Sequence, residues 1–274
     1  MTLNCAGKLI DLTQPKVMGI LNATPDSFYD GGQFNTDSQA LKQVEKMLAE
    51  GATFIDIGGY STRSNTAEIT ETEELQRVIP LIEMIVKTFP EVLISIDTFR
   101  SKVATEAVKS GAVMINDISG GSFDAEMLDC VADLKVPYIL MHIQGTPQTM
   151  QQNPVYQNIV KEVNYYFAEK IAILKTKGVN DIIIDPGYGF GKTLEHNFEL
   201  LHNQSLLGFG DYPILTGISR KSMIYKTLDT TPQEALNGTT VLNTLALFQK
   251  ASILRVHDVK EAVECVKLVE KFGR

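Results

Sequence analysis

A chain of 274 residues, 44% hydrophobic and 21% charged, has ordinary globular composition and is long enough for one α/β barrel or two smaller domains. The formal net charge of -8 argues against a nucleic-acid partner, because phosphate neutralisation dominates that affinity; it leaves room for a small anion held at a local basic site. No stretch approaches the roughly 20 apolar residues that span a bilayer, no apolar N-terminal run marks a signal peptide, and Cys5, Cys130 and Cys265 lack metal spacing, as expected of reduced thiols in a cytoplasmic protein.

Short apolar runs alternate with longer amphipathic segments. In chain order the runs are Val17–Leu21, Phe54–Ile57, Leu93–Ile96, Val113–Asn116, Tyr138–His142, Ile182–Asp185, Ile214–Ile218 and Ile253–Val256. Most are rich in Ile, Val and Leu without strict alternation, as parallel strands covered on both faces are. Helical patterns follow them at Ser38–Glu50, Glu71–Thr88, Ser101–Ser110, Ala125–Leu134, Val155–Lys177, Leu194–Leu207, Pro232–Lys250 and Val259–Phe272. Several close on glycine, at Gly51, Gly111, Gly178 and Gly273. Eight strand–helix units predict a single α/β domain over residues 1–274, a (β/α)8 TIM barrel; an open doubly wound sheet is the other architecture that this periodicity permits. The segment Asn4–Gln14 precedes the first unit and reads as a hairpin closing the barrel bottom.

In such a barrel, function belongs at the C-terminal ends of the strands. Those ends read, in order, Asn22; Asp56 with Gly58 to Arg63; Asp97-Thr98; Asn116-Asp117; Met141-His142; Asp185 with Gly187, Gly189, Phe190, Gly191 and Lys192; Ser219-Arg220-Lys221-Ser222; and Arg255-Val256-His257-Asp258. Every apolar body ends in polar or ionisable groups at the same end, which predicts one polar crater. Arg63, Arg255, His257, Thr62 and Asn22 suit a diphosphate, because guanidinium forks match phosphate oxygens and each such bond is worth roughly 1.5–3 kcal/mol. Asn22 and Asp26 can hold the Mg2+ that accompanies a diphosphate. Asp97, Asn116, Asp185 and Lys221 suit the edge of a flat, nitrogen-rich heterocycle, with Met141 and Phe190 as walls.

Each piece has a plainer reading. Asp185 and Lys221 can form a buried structural ion pair. Asp56, in an Ile-Asp-Ile-Gly run, reads as a barrel-core carboxylate with backbone partners, and Asp117 is open between core and crater. His142 reads as a satisfied core histidine, His196 and His202 as surface residues, and Tyr165, Tyr166 and Phe167 as helix packing or a subunit contact. No zinc spacing is present, and Ser219 lacks the tight elbow of a hydrolase nucleophile.

Taken together, the opening loop Met18–Gly32, Ile55-Asp56-Ile57-Gly58-Gly59 with Ser61-Thr62-Arg63, Ser95-Ile96-Asp97-Thr98, Ile115 to Gly121, Leu140-Met141-His142, Asp185 to Lys192, Ser219 to Ser222 and Arg255 to Asp258 resemble the signatures of bacterial-type dihydropteroate synthases. That family joins 6-hydroxymethyl-7,8-dihydropterin pyrophosphate to p-aminobenzoate in folate synthesis. The resemblance covers essentially the whole chain. It implies that Asp97, Asn116, Asp185 and Lys221 hold the pterin, with Met141, Phe190 and Arg255 against its ring. It assigns pyrophosphate to Asn22, Thr62, Arg63, Arg255 and His257, with Asn22 at Mg2+, and p-aminobenzoate to Thr62, Ser64, Phe190, Lys221 and Ser222. Asp97, Arg63, Lys221, Arg255 and His257 are the implied catalytic residues of a dissociative displacement of pyrophosphate. The resemblance further implies a cytoplasmic homodimer, formed through the last helices, and a sulfonamide target.

Three positions depart from the family. Tyr60 stands where Glu is usual, Ser64 where Pro is usual and Tyr29 where Ser is common. Ser64 in place of proline frees the backbone and removes an apolar wall beside p-aminobenzoate. The loops Thr24–Gly32 and Ser61–Thr70 are expected to move until pyrophosphate binds. Two rivals share the fold. A corrinoid-dependent methyltransferase would keep Asp97, Asn116 and Asp185 but has little use for Thr62-Arg63 or Lys221-Ser222. A non-catalytic pterin-binding barrel has little use for the opening loop, Arg63 and His257.

Overall fold

Eight parallel strands close on themselves in this chain, so the barrel reading stands over the open sheet. The computed structural model describes residues 1–23, 33–60, 69–150 and 152–273, apart from the side chains of residues 33–36. The barrel strands are β3 (Lys16–Asn22), β4 (Phe54–Gly58), β5 (Ile94–Asp97), β6 (Met114–Asp117), β7 (Tyr138–Met141), β8 (Ile182–Asp185), β9 (Ile214–Thr216) and β10 (Ala251–Val256). They run in sequence order around the barrel, and β10 pairs with β3 to close it.

Successive residues of a strand point to opposite faces, and that period organises the interior. Val17, Ile55, Ile57, Ile96, Ile115, Leu140, Ile184 and Leu254 join one cluster with the helices. Met18, Phe54, Met114, Ile139, Ile183, Leu215 and Ile253 form a second, separate cluster inside the barrel. That inner cluster is completed by Leu3, Cys5, Ile10 and Leu12. Leu3, Cys5 and Ile10 come from an antiparallel hairpin, β1 (Thr2–Cys5) with β2 (Lys8–Asp11), and Leu12 directly follows it; together they plug the bottom of the barrel as expected. Each large apolar side chain buried there contributes about 1.5–3 kcal/mol.

The helices are α1 (Gln33–Ala49), α2 (Glu71–Thr88), α3 (Ser101–Lys109), α4 (Met127–Leu134), α5 (Ile159–Thr176), α6 (Leu194–His202), α7 (Ser222–Tyr225), α8 (Leu236–Phe248) and α9 (Val259–Phe272). Three predicted helices are shorter or split. α5 starts at Ile159 because the Asn158 side chain caps it by accepting from Lys161 N. The Leu194–Leu207 pattern breaks after His202 into a kinked 3-10 segment, Gln204–Gly210. α8 begins only at Leu236 rather than at Pro232. His196 is not a free surface residue: with Thr193 it forms the capping box of α6, whereas His202 is exposed. Phe167 is fully buried core, Tyr165 is exposed, and Tyr166 donates its hydroxyl to Met141 O at 2.9 Å. All three cysteines are free thiols, with Cys5 and Cys265 buried.

Candidate active site

The barrel mouth follows from the same strand period. Two residues beyond the inner apolar layer, the inward positions become Asp56 after Phe54, Asn116 after Met114, Met141 after Ile139, Asp185 after Ile183 and Arg255 after Ile253. Asp97 stands level with Asn116 and Gly58 in the ladder. Asp117 lies one residue further on β6 and therefore faces outward. There it accepts from Tyr138 Oη, Ser119 N and Gly121 N, each at 2.7 Å. Asp117 shapes the loop after β6 and is not a crater residue.

Arg255 occupies the centre of the mouth. Its Nε donates to Asp56 Oδ2 at 2.6 Å and its Nη2 to Asp97 Oδ2 at 2.6 Å. Asn116 Nδ2 donates to the same Asp56 oxygen at 2.9 Å. The expectation that Asp56 is satisfied by backbone needs correcting: its hydrogen-bond partners among the described residues are two side chains of the crater. Asp56 is completely buried, and its Oδ1 has no partner among the described residues. Burial lifts the Asp97 carboxyl to about 7; Arg255 opposes that rise and the Asp56 charge adds to it. Asp97 thus stands poised between its two protonation states near neutrality.

The opposite wall is built by Asp185, Lys221 and the loop after β8. Asp185 Oδ1 accepts from Gly187 N at 2.7 Å, and burial raises its pKa against the pull of Lys221. The plainer alternative, an Asp185–Lys221 ion pair, does not form, and Lys221 Nζ instead donates to Tyr188 O at 2.6 Å. The ammonium also lies 4.8 Å from the Phe190 ring centroid, a cation–π contact. Burial brings Lys221 down to about 8, with Asp185 resisting. Met141 is buried on β7, Phe190 is half-buried, and Ser222 opens α7 directly after Lys221.

At the rim, His257 is exposed, and its Nδ1 lies 3.0 Å from Ser219 Oγ. The same oxygen accepts from His257 N at 3.2 Å, so Ser219 holds both the ring and the backbone of His257. Contact with the barrel mouth first, and the Arg255 charge second, hold this imidazole below its usual pKa. Asn22 ends β3 at the rim and is exposed, and it joins no side-chain network of the crater among the described residues. Thr62, Arg63 and Ser64, the opening-loop residues Thr24 to Gly32 with Asp26 and Tyr29, and the expectation of loop motion all lie outside the described residues.

Three groups gain a role that the sequence left unassigned. Asp56 holds Arg255 and Asn116 together. Ser219 holds the ring and the backbone of His257. Lys192 is 3% exposed and reaches His142, Gly187 and Phe190. His142 is the buried histidine that its position suggested. For Lys192 the one signal in the sequence was its place beside a glycine-rich loop.

Comparison with known proteins agrees with this geometry. Residues 18–257 match the family of pterin binding enzymes. The dihydropteroate synthase of Escherichia coli (strain K12) is 47% identical over 272 residues, 98% of this chain and 96% of that one. A crystal structure of Yersinia pestis dihydropteroate synthase with a sulfonamide drug complex superposes with a TM-score of 0.93 at 44% identity, covering 99% of both chains. The Xanthomonas albilineans enzyme in complex with 7,8-dihydropteroate gives 0.89 at 37% identity, covering 99% of this chain and 98% of that one. The chain belongs to the pterin-binding enzymes and, within them, to the dihydropteroate synthases, which are transferases of folate biosynthesis.

Proposed function

We propose that this barrel condenses 6-hydroxymethyl-7,8-dihydropterin pyrophosphate with p-aminobenzoate, releasing pyrophosphate and forming 7,8-dihydropteroate, with the residues of the mouth in the following roles. The observation that carries the reading is the Asp56–Arg255–Asp97 bridge with Asn116 on one side and Asp185 with Lys221 on the other. Asp97 and Asp185 accept the paired N–H groups of the pterin edge. Asn116 spends its Nδ2 on Asp56, which turns its amide oxygen into the acceptor left for the ring. Lys221 keeps donors beyond the one given to Tyr188 O and offers them to a ring carbonyl and nitrogen. Met141, Phe190 and Arg255 bound the faces of the ring, while Phe190, Lys221 and Ser222 with Thr62 and Ser64 receive p-aminobenzoate.

The methylene–oxygen bond breaks and pyrophosphate departs with the electron pair. The arylamine lone pair then forms the new C–N bond, and the nitrogen releases one proton. Arg63, His257 and the Nη1 donors of Arg255, together with Asn22 and Thr62, meet the charge growing on the leaving group. The ionised form of Asp97 favours the electron-poor pterin, so its contribution is larger in the transition state than in the ground state. Mg2+ usually keeps several waters and takes only one or two protein oxygens beside substrate phosphates. The exposed Asn22 amide fits that demand, and no cluster of three acidic, His or Cys ligands exists among the described residues. When bound, the ion would add positive charge beside the leaving group.

Two coarser features complete the proposal. Val241, Leu245 and Phe248 of α8 and Leu268 and Phe272 of α9 are exposed, and the last two aromatics stack edge-on at 5.5 Å. A second copy of this chain would cover them, giving a homodimer. No described helix is long and apolar enough to cross a membrane, and the reaction is assigned to the cytoplasm. Sulfonamides would compete with p-aminobenzoate. The test is pyrophosphate release from the pterin substrate with Mg2+, with and without p-aminobenzoate. Release that depends on p-aminobenzoate and yields dihydropteroate is expected; pterin binding without release would overturn the proposal.

A further inference from the structure

We propose that Lys192 is a positioning residue, which fastens the loop after β8 to the end of β7 and so sets where that loop holds Phe190 and Tyr188 O. The inference rests on the functional reading above and adds a residue to it. Lys192 Nζ lies 3.0 Å from His142 Nδ1, 3.0 Å from Gly187 O, 3.0 Å from Phe190 O and 3.4 Å from His142 O. It forms no ion pair among the described residues. A buried ammonium without a carboxylate is costly unless its donors are taken up by oriented acceptors, and here each partner belongs to one of two chain segments. His142 follows Met141 at the end of β7, while Gly187 and Phe190 belong to the loop after β8.

The two segments lie in backbone contact. Gly187 and Gly191 both have positive φ, and a Cβ on either would overlap the carbonyl oxygen of His142 or of Gln144. Glycine allows the approach and the ammonium holds it. The His142 ring is set edge-on to Tyr166 at 4.9 Å. In its charged form Lys192 only donates, and the clamp then requires His142 to present Nδ1 as an acceptor and carry its proton on Nε2. Burial lowers the ammonium to about 7, with the Asp185 charge resisting. The loop held in this way bears both Phe190 and Tyr188 O, the acceptor that anchors Lys221. Lys192 touches none of the groups assigned to substrate except through that loop.

The test replaces Lys192 with methionine, which keeps the stem and removes the donors, and with glutamine. Dihydropteroate formation, thermal melting and hydrogen exchange of the Gly187–Gly191 amides are measured on each. Displacing Phe190 and Tyr188 O is expected to raise the KM for p-aminobenzoate about tenfold in Lys192→Met while kcat falls by less than about threefold, with faster exchange in the loop. A lower melting temperature with KM and exchange unchanged would overturn the proposal, because a purely structural lysine predicts that result. Should neither variant fold, the nitrogen-15 shifts of His142 in the wild-type protein decide: an unprotonated Nδ1 supports the clamp, and a protonated Nδ1 sinks it. Wild-type protein that makes no dihydropteroate would instead remove the functional reading, and loop exchange with His142 tautomer would still judge the clamp.

Discussion

Replacing Asp56 with asparagine changes one buried oxygen pair with little change of shape, and the structure sets the size of the effect. Asp56 Oδ2 accepts from Arg255 Nε at 2.6 Å and from Asn116 Nδ2 at 2.9 Å. Asparagine returns one neutral acceptor and places an NH2 where the second oxygen was. Removing the carboxylate charge weakens both bonds, at about 1–1.5 kcal/mol each. If that loss is felt in the transition state, kcat/KM falls by about 30- to 150-fold. A second effect has a definite sign. The Asp56 charge is one of the causes that lift Asp97 toward 7, so removing it lowers the Asp97 pKa. The acid limb of the rate profile, where Asp97 must lose its proton, then moves to lower pH. Steady-state rates across pH 5.5–9, with melts to confirm folding, measure both. A variant within about threefold of wild type and with an unmoved acid limb would show that Asp97 alone orients Arg255.

Ser219→Ala removes the hydroxyl that holds the His257 ring and backbone; the expected cost is about 1 kcal/mol, roughly fivefold in kcat with the p-aminobenzoate KM unchanged, and a KM-only effect would contradict the assignment. Lys192 has a folded pKa of about 7 against its ordinary 10.5, so the unfolded chain binds more protons between those values and folding stability rises with pH across that window. Urea unfolding of wild type and Lys192→Met at pH 7 and pH 9.5 should show a larger pH-dependent gain in wild type, because Lys221, also depressed to about 8, contributes to both; equal gains would refute it. Deleting residues 1–12 strips Leu3, Cys5, Ile10 and Leu12 from the inner cluster, a loss of more than about 5 kcal/mol, and an unchanged urea midpoint would disprove the plug. Tyr60 meets Phe99 edge-on at 5.2 Å and lies under Arg100 at 5.6 Å, so Tyr60→Glu, the residue usual in the family, should cost about 1–2.5 kcal/mol in thermal melts, whereas equal melting would mean the aromatic cluster contributes nothing.

Most of the architecture was legible because a barrel strand repeats one instruction. An apolar body ending in a polar group, eight times over, names both the fold and the end at which chemistry sits, and the hairpin plug could be read from its position ahead of the first unit. Less legible was which atom each polar group would choose. The partners Asp56 and Arg255 stand 199 residues apart, and only barrel closure brings them together. The Asp185–Lys221 pair looked sound by charge, yet the loop after β8 carries Tyr188 O closer to the ammonium. Asp117 was ambiguous because a one-residue step on β6 decides which face it takes. His196 escaped as a cap because the usual capping box ends in Glu or Gln, whereas here the imidazole Nδ1 accepts from Thr193 N. Thr62, Arg63 and Ser64 were named from motif alone, and their placement adds nothing to the reading.

The charges of the mouth explain why the residues are arranged as they are. Asp56, Asp97 and Asp185 face two cations, Arg255 and Lys221, with Lys192 behind the loop wall. Burial presses these groups toward their neutral forms: Asp97 and Asp185 rise, Lys221 and Lys192 fall. Arg255 alone moves further into its charged range, since Asp56 and Asp97 outweigh the burial. A mouth built this way is costly to the free protein and becomes favourable when a ligand supplies the missing partners. In the proposed reaction a pterin edge rich in N–H groups would support the ionised carboxylates, and Arg255 would meet the anionic leaving group. On that proposal the same residues would gain most at the moment when positive charge grows on the pterin and negative charge leaves with pyrophosphate. That is the differential binding on which catalysis depends, and it places the cost of function in the two strand positions directly above an otherwise apolar plug.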